Sequence, residues 1–136
     1  MSTVDFTAWV IPPLVLTLGD QAYTVQPPSV ERAKMIFAAA ARAEVNLGLT
    51  PGPLPAELDE ILDAIGTSHP ALGDKVFEQM AADEVPVETI DRLSYYATFY
   101  WARGADYAGA LAQLLWGIRD LGSGAAEAGE GEAPKA

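Results

Sequence analysis

His69 is the chain's single histidine, and a hydrolytic triad built on it would need a nucleophile and an orienting carboxylate within reach. Ser68 is the one nucleophile beside it in sequence. Adjacent side chains on a loop rarely align for proton transfer, so Ser68-His69-Pro70 reads better as a connection leading into a helix. Carboxylates offer the next chemistry. Glu57, Asp59, Glu60, Asp63, Asp74, Glu78, Asp83, Glu84, Glu88 and Asp91 crowd the middle of the chain, with Lys75 the sole base among them. On a helix, Asp59 and Asp63, or Glu57 and Glu60, stand close enough to share a divalent cation. A calcium loop, however, alternates oxygen ligands around a glycine turn, and that pattern is missing. Paired carboxylates for glycoside hydrolysis need a cleft, which helical spacing does not supply. The acidic set therefore reads as a solvated face, with ion binding or a basic partner as its functional alternatives. The sequence holds no phosphate-loop pattern and no zinc or haem signature, and without cysteine it offers no thiolate. The expectation is a chain that is not an enzyme, with no catalytic, cofactor-binding or metal-ligating residues.

Binding chemistry is better supplied. Tyr95, Tyr96, Phe99, Tyr100, Trp101, Tyr107 and Trp116 place seven of the twelve aromatics in one stretch. Helical spacing turns Tyr96 and Tyr100, with Tyr107 or Trp101, inward, while Tyr95 and Phe99 share a second stripe. A generous core and a core plus a partner surface both fit that arrangement. The candidate partner-binding residues are Tyr95, Phe99, Trp101 and Trp116.

The elements that would position them follow from pattern and punctuation. Leu14 to Val25 alternates as an antiparallel hairpin. A two-residue turn at Gly19-Asp20 pairs Leu18 with Gln21, Leu16 with Tyr23 and Leu14 with Val25 on one face, leaving Val15, Thr17, Ala22 and Thr24 on the other. Gly19 suits the first position of a type II′ turn. Two strands are marginal alone, so the ribbon must pack on helices or on another chain. Pro27-Pro28 ends the second strand, and Ser29 caps a helix running to Leu47 with Glu31 in its first turn. Its apolar positions are Val30, Ala33, Phe37, Ala40, Ala41 and Val45, with Arg32, Lys34, Arg42 and Glu44 elsewhere and Gly48 as terminator. Thr50 to Pro55 is a loop, after which Leu58, Ile61, Leu62 and Ile65 mark a short helix ended by Gly66. A third helix spans Pro70 to Asp83, burying Leu72, Val76, Phe77 and Met80, until Val85-Pro86 breaks it. A fourth runs from Val87 to Arg103 and closes at Gly104. A fifth opens near Asp106 and continues through Tyr107, Leu111, Leu114, Leu115 and Ile118 as an antiparallel partner of the fourth.

The fold class is therefore mainly α: an N-terminal β-hairpin, a compact bundle of about five helices and a disordered C-terminal tail. Residues 1–13 form an extended arm and 14–121 a single hairpin-plus-helical domain. The acidic Gly/Ala/Glu segment 122–136 has no apolar material to offset its ordering entropy and is expected to be disordered. A chain of 136 residues, half of them apolar, is the size of one such domain. The formal charge of −11, with eight Lys and Arg scattered singly, argues against nucleic acid and anionic lipid as partners. The first ten residues lack a basic region, and no apolar run approaches the roughly 20 residues that span a bilayer, so neither secretion nor a membrane anchor is expected.

Taken in order, LVLTLGDQAYTVQPPSVERAKMI and LGDKVFEQMAADEVPVETIDRLSYYATFYWARG resemble the tail assembly chaperones of siphophages that infect actinobacteria. The anchors are the ribbon with its Pro27-Pro28-Ser29 exit, then Leu72, Gly73, Val76, Met80, Asp83, Val85 and Pro86. An aromatic helix, Ile90 to Trp101, and an alanine-rich one, Ala105 to Trp116, complete the order. The likeness covers about Leu14 to Gly117 and is a pattern of order and a few anchors rather than a catalytic signature. It implies a non-enzymatic role: binding the long, helical, aggregation-prone tape measure protein, keeping it soluble and helping tail tube protein assemble around it. It places the protein in the host cell cytoplasm during infection and outside the mature virion. It also implies a longer frameshifted form of the same chain as a partner, with this sequence as the short form, and is compatible with a homo-oligomer. Two other classes fit the residues. One is a structural phage tail or head-tail connector protein; the other is an acidic inhibitor or antitoxin-type protein masking a basic partner through the Glu57–Asp91 carboxylates.

Overall fold

A computed structural model describes residues 1–117 of the chain. The tail expected to be disordered at 122–136, and the far end of the fifth helix at Ile118, lie outside the described residues. In chain order there are a 3-10 turn at Thr7–Trp9, strands β1 (Leu14–Leu18) and β2 (Gln21–Val25), and helices α1 (Val30–Asn46), α2 (Ala56–Asp63), α3 (Asp74–Ala82), α4 (Val87–Arg103) and α5 (Ala105–Trp116). This is the hairpin followed by five helices that the sequence predicts. No helix among the described residues is long and apolar enough to cross a membrane.

β1 and β2 pair antiparallel in the predicted register, Leu14 with Val25, Leu16 with Tyr23 and Leu18 with Gln21. Gly19 has φ +62 while Asp20 keeps a negative φ, and a single positive φ at the first turn position suits type II′ rather than type I′. Leu14, Leu16, Tyr23 and Val25 are buried against Ile36 of α1, Val76 and Met80 of α3, and Ile90 and Ala97 of α4. Each such side chain contributes about 1.5–3 kcal/mol on burial, which is what steadies a two-stranded ribbon. The Tyr23 hydroxyl adds a tie by donating to the Asp83 carboxylate at 2.7 Å.

Ser29 begins α1 as expected, its hydroxyl oxygen accepting the Arg32 N–H at 3.3 Å. The buried face of α1, however, differs from the predicted one. Ile36, Ala38, Ala40 and Glu44 are buried, whereas Val30, Ala33 and Phe37 are exposed. The run Ala38 to Ala41 makes several faces equally apolar, so spacing alone cannot choose among them. α3 starts four residues later than predicted, at Asp74. Gly73 sits at φ +86, outside the helical region, after a turn closed by its N–H donating to the His69 carbonyl at 2.7 Å. Leu72, Val76 and Met80 are buried and Phe77 half-buried, as the spacing implies. Past Asp83 the chain turns through Glu84 at φ +61, with Glu84 N–H donating to Ala81 and Val85 N–H to Met80, both at 3.0 Å. Those two bonds make a Schellman closure in which glutamate holds the place glycine normally takes, at a cost of about 1–2 kcal/mol.

α4 matches its predicted span. It packs against both α1 and α5, while α2 packs on α1 and α3 on β2. α5 buries Ala108, Leu111 and Ala112, whereas Leu114 is 72 % exposed, and Tyr107, one of the rings that helical spacing could turn inward, lies at the surface. The apolar residues of α5 run almost all round it: Ala108, Leu111 and Ala112 are buried, Leu115 and Trp116 half-buried, and Leu114 is left exposed.

Candidate partner-binding site

Helix α4 carries five aromatic rings, and the elements packed around it sort them. Phe99, a predicted partner contact, is only 1 % exposed. It lies beneath Ala40, Ala108 and Leu111, with Tyr107 stacked at 5.6 Å and Tyr95 tilted against it at 5.3 Å. A ring held on all sides cannot present a surface, so Phe99 is a core residue. Trp101 sits apart from the others, packed half-buried on the hairpin cluster and edge-on to Tyr100 at 4.9 Å. Its indole N–H is buried without an acceptor among the described residues. Tyr95 and Trp116 do come together, edge to face at 6.2 Å. Arg92 lays its guanidinium over the Trp116 ring at 5.5 Å, a cation–π contact that orients the indole. Burial holds the Tyr95 phenol above its ordinary value, and burial followed by the neighbouring Tyr100 does the same for Tyr96.

Trp116 is the wall between two hollows. On one side Asp91, Arg92, Tyr95 and Leu115 line a shallow depression of about 170 Å³. On the other a groove of about 350 Å³ runs between β1 and the α4–α5 pair, walled by Leu14, Leu16, Leu93, Tyr96 and Ala112, with Thr89, Arg92 and Gln113 at its rim. The register adds a polar feature to that groove. With Leu18 and Gln21 flanking the two-residue turn as a hydrogen-bonded pair, the N–H and C=O groups of Val15 and Thr17 point away from β2. Both residues line the groove. It therefore combines an apolar floor with a strand edge able to pair with an extended segment.

A second constellation escapes sequence reasoning altogether. Glu44 of α1 is buried and accepts from Arg103 Nε at 2.9 Å, Arg103 Nη2 at 2.7 Å and the Tyr107 hydroxyl at 2.7 Å. Arg103 in turn caps the Phe37 ring at 5.0 Å. The Arg103 hydrogen bonds hold the Glu44 carboxyl below its ordinary range against the opposing effect of burial. Burial, then the bond to Glu44, pushes the Tyr107 phenol up. All four groups are satisfied by one another, so this cluster locks α1 to the α4–α5 junction and offers nothing to a ligand. The partners of Glu44 lie 59 and 63 residues away, and no local pattern announces them.

Ser68 and His69 serve the connection into α3. The Ser68 hydroxyl donates to the Ile65 carbonyl at 2.7 Å, and His69 lies flat on Phe77 with ring centres 3.6 Å apart. The His69 backbone N–H donates to the Asp74 carboxylate at 2.9 Å. The carboxylates from Glu57 to Asp91 are exposed. Among the described residues, no three acidic or histidine side chains gather as a metal ion would require.

The sequence profile of a family described as a domain of unknown function (DUF7426) matches residues 4–135. The chain belongs to the DUF7426 family. The match takes in most of the N-terminal arm, the hairpin and the five helices, so the groove and the depression on either side of Trp116 lie inside the DUF7426 domain. No curated protein and no solved structure matches the chain.

Proposed function

We propose that this chain is a tail assembly chaperone of the siphophage type, a non-enzymatic binder that holds an amphipathic helical client, the tape measure protein, in solution while tail tube protein assembles. The observation that carries the reading is the aromatic depression made by Tyr95, Leu115 and Trp116, with Leu114 exposed on the same helix. A client helix with leucine and aromatic stripes would lay its apolar face on such a surface. The charge of −11 supports the same reading, because complexes that carry it repel one another and stay dispersed. The order of ribbon, Leu72–Pro86 stretch and aromatic helix is the order found in the chaperones it resembles. On this reading the protein acts in the host cytoplasm, and its longer frameshifted form joins the same assembly.

The test is co-expression with a tape measure fragment. The wild-type chain keeps the fragment in the soluble fraction, and Tyr95→Ala with Trp116→Ala lowers that yield several-fold while circular dichroism stays unchanged. A fragment equally insoluble with and without the wild-type chain sinks the proposal. Mass spectrometry of purified particles separates it from a structural tail or connector role, in which peptides of this chain would be abundant. Loss of binding on raising salt, with no effect of the aromatic variants, would instead assign recognition to the Glu57–Asp91 carboxylates.

A further inference from the structure

Among the described residues, the arm ahead of β1 gathers the largest group of exposed apolar side chains. Phe6, Trp9, Val10 and Ile11 are each 62–66 % exposed. The arm is nevertheless shaped: Phe6 and Trp9 meet edge to face at 4.9 Å around the 3-10 turn. The Asp5 carboxylate fixes that turn by accepting the Thr7 N–H at 3.0 Å and the Thr7 hydroxyl at 2.6 Å. A pre-formed aromatic knob of this kind loses little freedom when it docks, which favours association.

Its own groove is out of its reach. Val10 is extended, at φ −68 and ψ 136, and Ile11 and Pro12 each precede a proline, which keeps them extended as well. Four extended residues at about 3.1 Å each carry the knob roughly 12 Å beyond Leu14, away from the groove that starts there. A reversal tight enough to lay the arm beside β1 would need helical dihedrals at positions that proline forbids them. Among the described residues no surface of the same chain covers the arm, which leaves its apolar side chains open to another molecule.

A second copy of this chain supplies one of matching chemistry. The groove's Leu14, Leu16, Leu93 and Trp116 are apolar, its volume of about 350 Å³ admits an indole with a neighbouring side chain, and its strand edge at Val15 and Thr17 can pair with the extended residues after Trp9. Charge agrees too. The arm bears one carboxylate, Asp5, in a chain of net −11, and among the described residues that line the groove the one with a charge is Arg92. Phe6, Trp9, Val10 and Ile11 present on the order of 500 Å² of side chain per arm, so two exchanged arms bring about 1,000 Å² of largely apolar surface to the contact, the lower bound for a specific pair.

We propose that the arm of one copy, led by Trp9, docks in the groove between β1 and the α4–α5 pair of a second copy, so that the chains associate by exchanging arms. Every copy carries both halves of the contact, and the association closes as a two-fold pair or a small ring. The contact is independent of the client reading, since it needs no phage protein.

Light scattering on the eluted full-length chain at about 100 µM is the first test. The wild type has the mass of a closed oligomer, and Trp9→Glu, at a site outside the core, has the mass of a monomer with unchanged circular dichroism. The absence of cysteine permits a second, positional test. Val10→Cys and a size-tagged Gln113→Cys, mixed and oxidised, give the cross-species disulfide at least fivefold over either self-linked product. A monomeric wild type, or an oligomer that survives Trp9→Glu, overturns the proposal. So does a Val10→Cys/Gln113→Cys chain that links within itself, or a groove at Gln113 that the chain's own residues after Gly117 shield from cross-linking.

Discussion

Phe99 and Trp9 are both large aromatics, yet one is 1 % exposed and the other 64 %. Around Phe99 every neighbour is provided for: Ala40, Ala108 and Leu111 pack its ring, and Glu44, Arg103 and Tyr107 satisfy one another at its margin. Trp9 instead meets Phe6 edge to face and stays exposed, held out on an extended, proline-stiffened arm. Ring size says nothing about the role of an aromatic here; what decides it is whether the small residues opposite allow a helix to close over it. Alanine at positions 40 and 108 lets α1 and α5 approach α4, and the arm has no such counterpart among the described residues of its own chain.

The contrast can be broken from either side. Phe99→Ala carries the largest expected effect, a loss of about 3–5 kcal/mol in chemical denaturation, because the cavity is enclosed by three helices. Glu44→Gln comes next, at about 2–3 kcal/mol, since it leaves Arg103 and Tyr107 poorly paired beside a buried amide. That pair has a pH signature. Arg103 holds the Glu44 carboxyl below the ordinary range, so its contribution is fully present at neutral pH and is lost as pH falls from about 4.3 through the lower folded value. Wild-type Tm should therefore fall more steeply with acid in that window than the Tm of Glu44→Gln, and parallel curves would show the pair to be without weight. Phe6→Ala is the smallest change, below about 0.5 kcal/mol in intrinsic stability. Any concentration dependence of Tm that Phe6→Ala removes belongs to association and not to the fold.

Much of the architecture is legible in the sequence because its signals are local. The Gly19-Asp20 turn with alternating strands fixes the hairpin register, Ser29 and Gly104 delimit helices, and Leu72, Val76 and Met80 mark the inner face of α3. The sequence misplaces what depends on distant partners. Phe37 and Val30 look inward by spacing, yet the alanines beside them leave the rotation of α1 to be settled by Ile36 and by the pairing of Glu44. On α5, apolar residues lie on several sides, and spacing does not tell that Ala108, Leu111 and Ala112 are buried while Leu114 is exposed. The site follows the same division. Tyr95 and Trp116, which composition and helical spacing single out, come together in the structure, whereas Phe99 shares the stripe of Tyr95 but is buried. The groove itself joins residues 14–17 to residues 89–117, a union that no motif records.

Helix α4 gives Ile90 and Ala97 to the cluster under the hairpin and Phe99 to the cluster under α5. A single rigid rod thus runs through both cores. Neither half of the molecule retains a seat for its side chains once that rod frays, so heat should dismantle the domain in one step, leaving no half-melted species with a bare ribbon to aggregate.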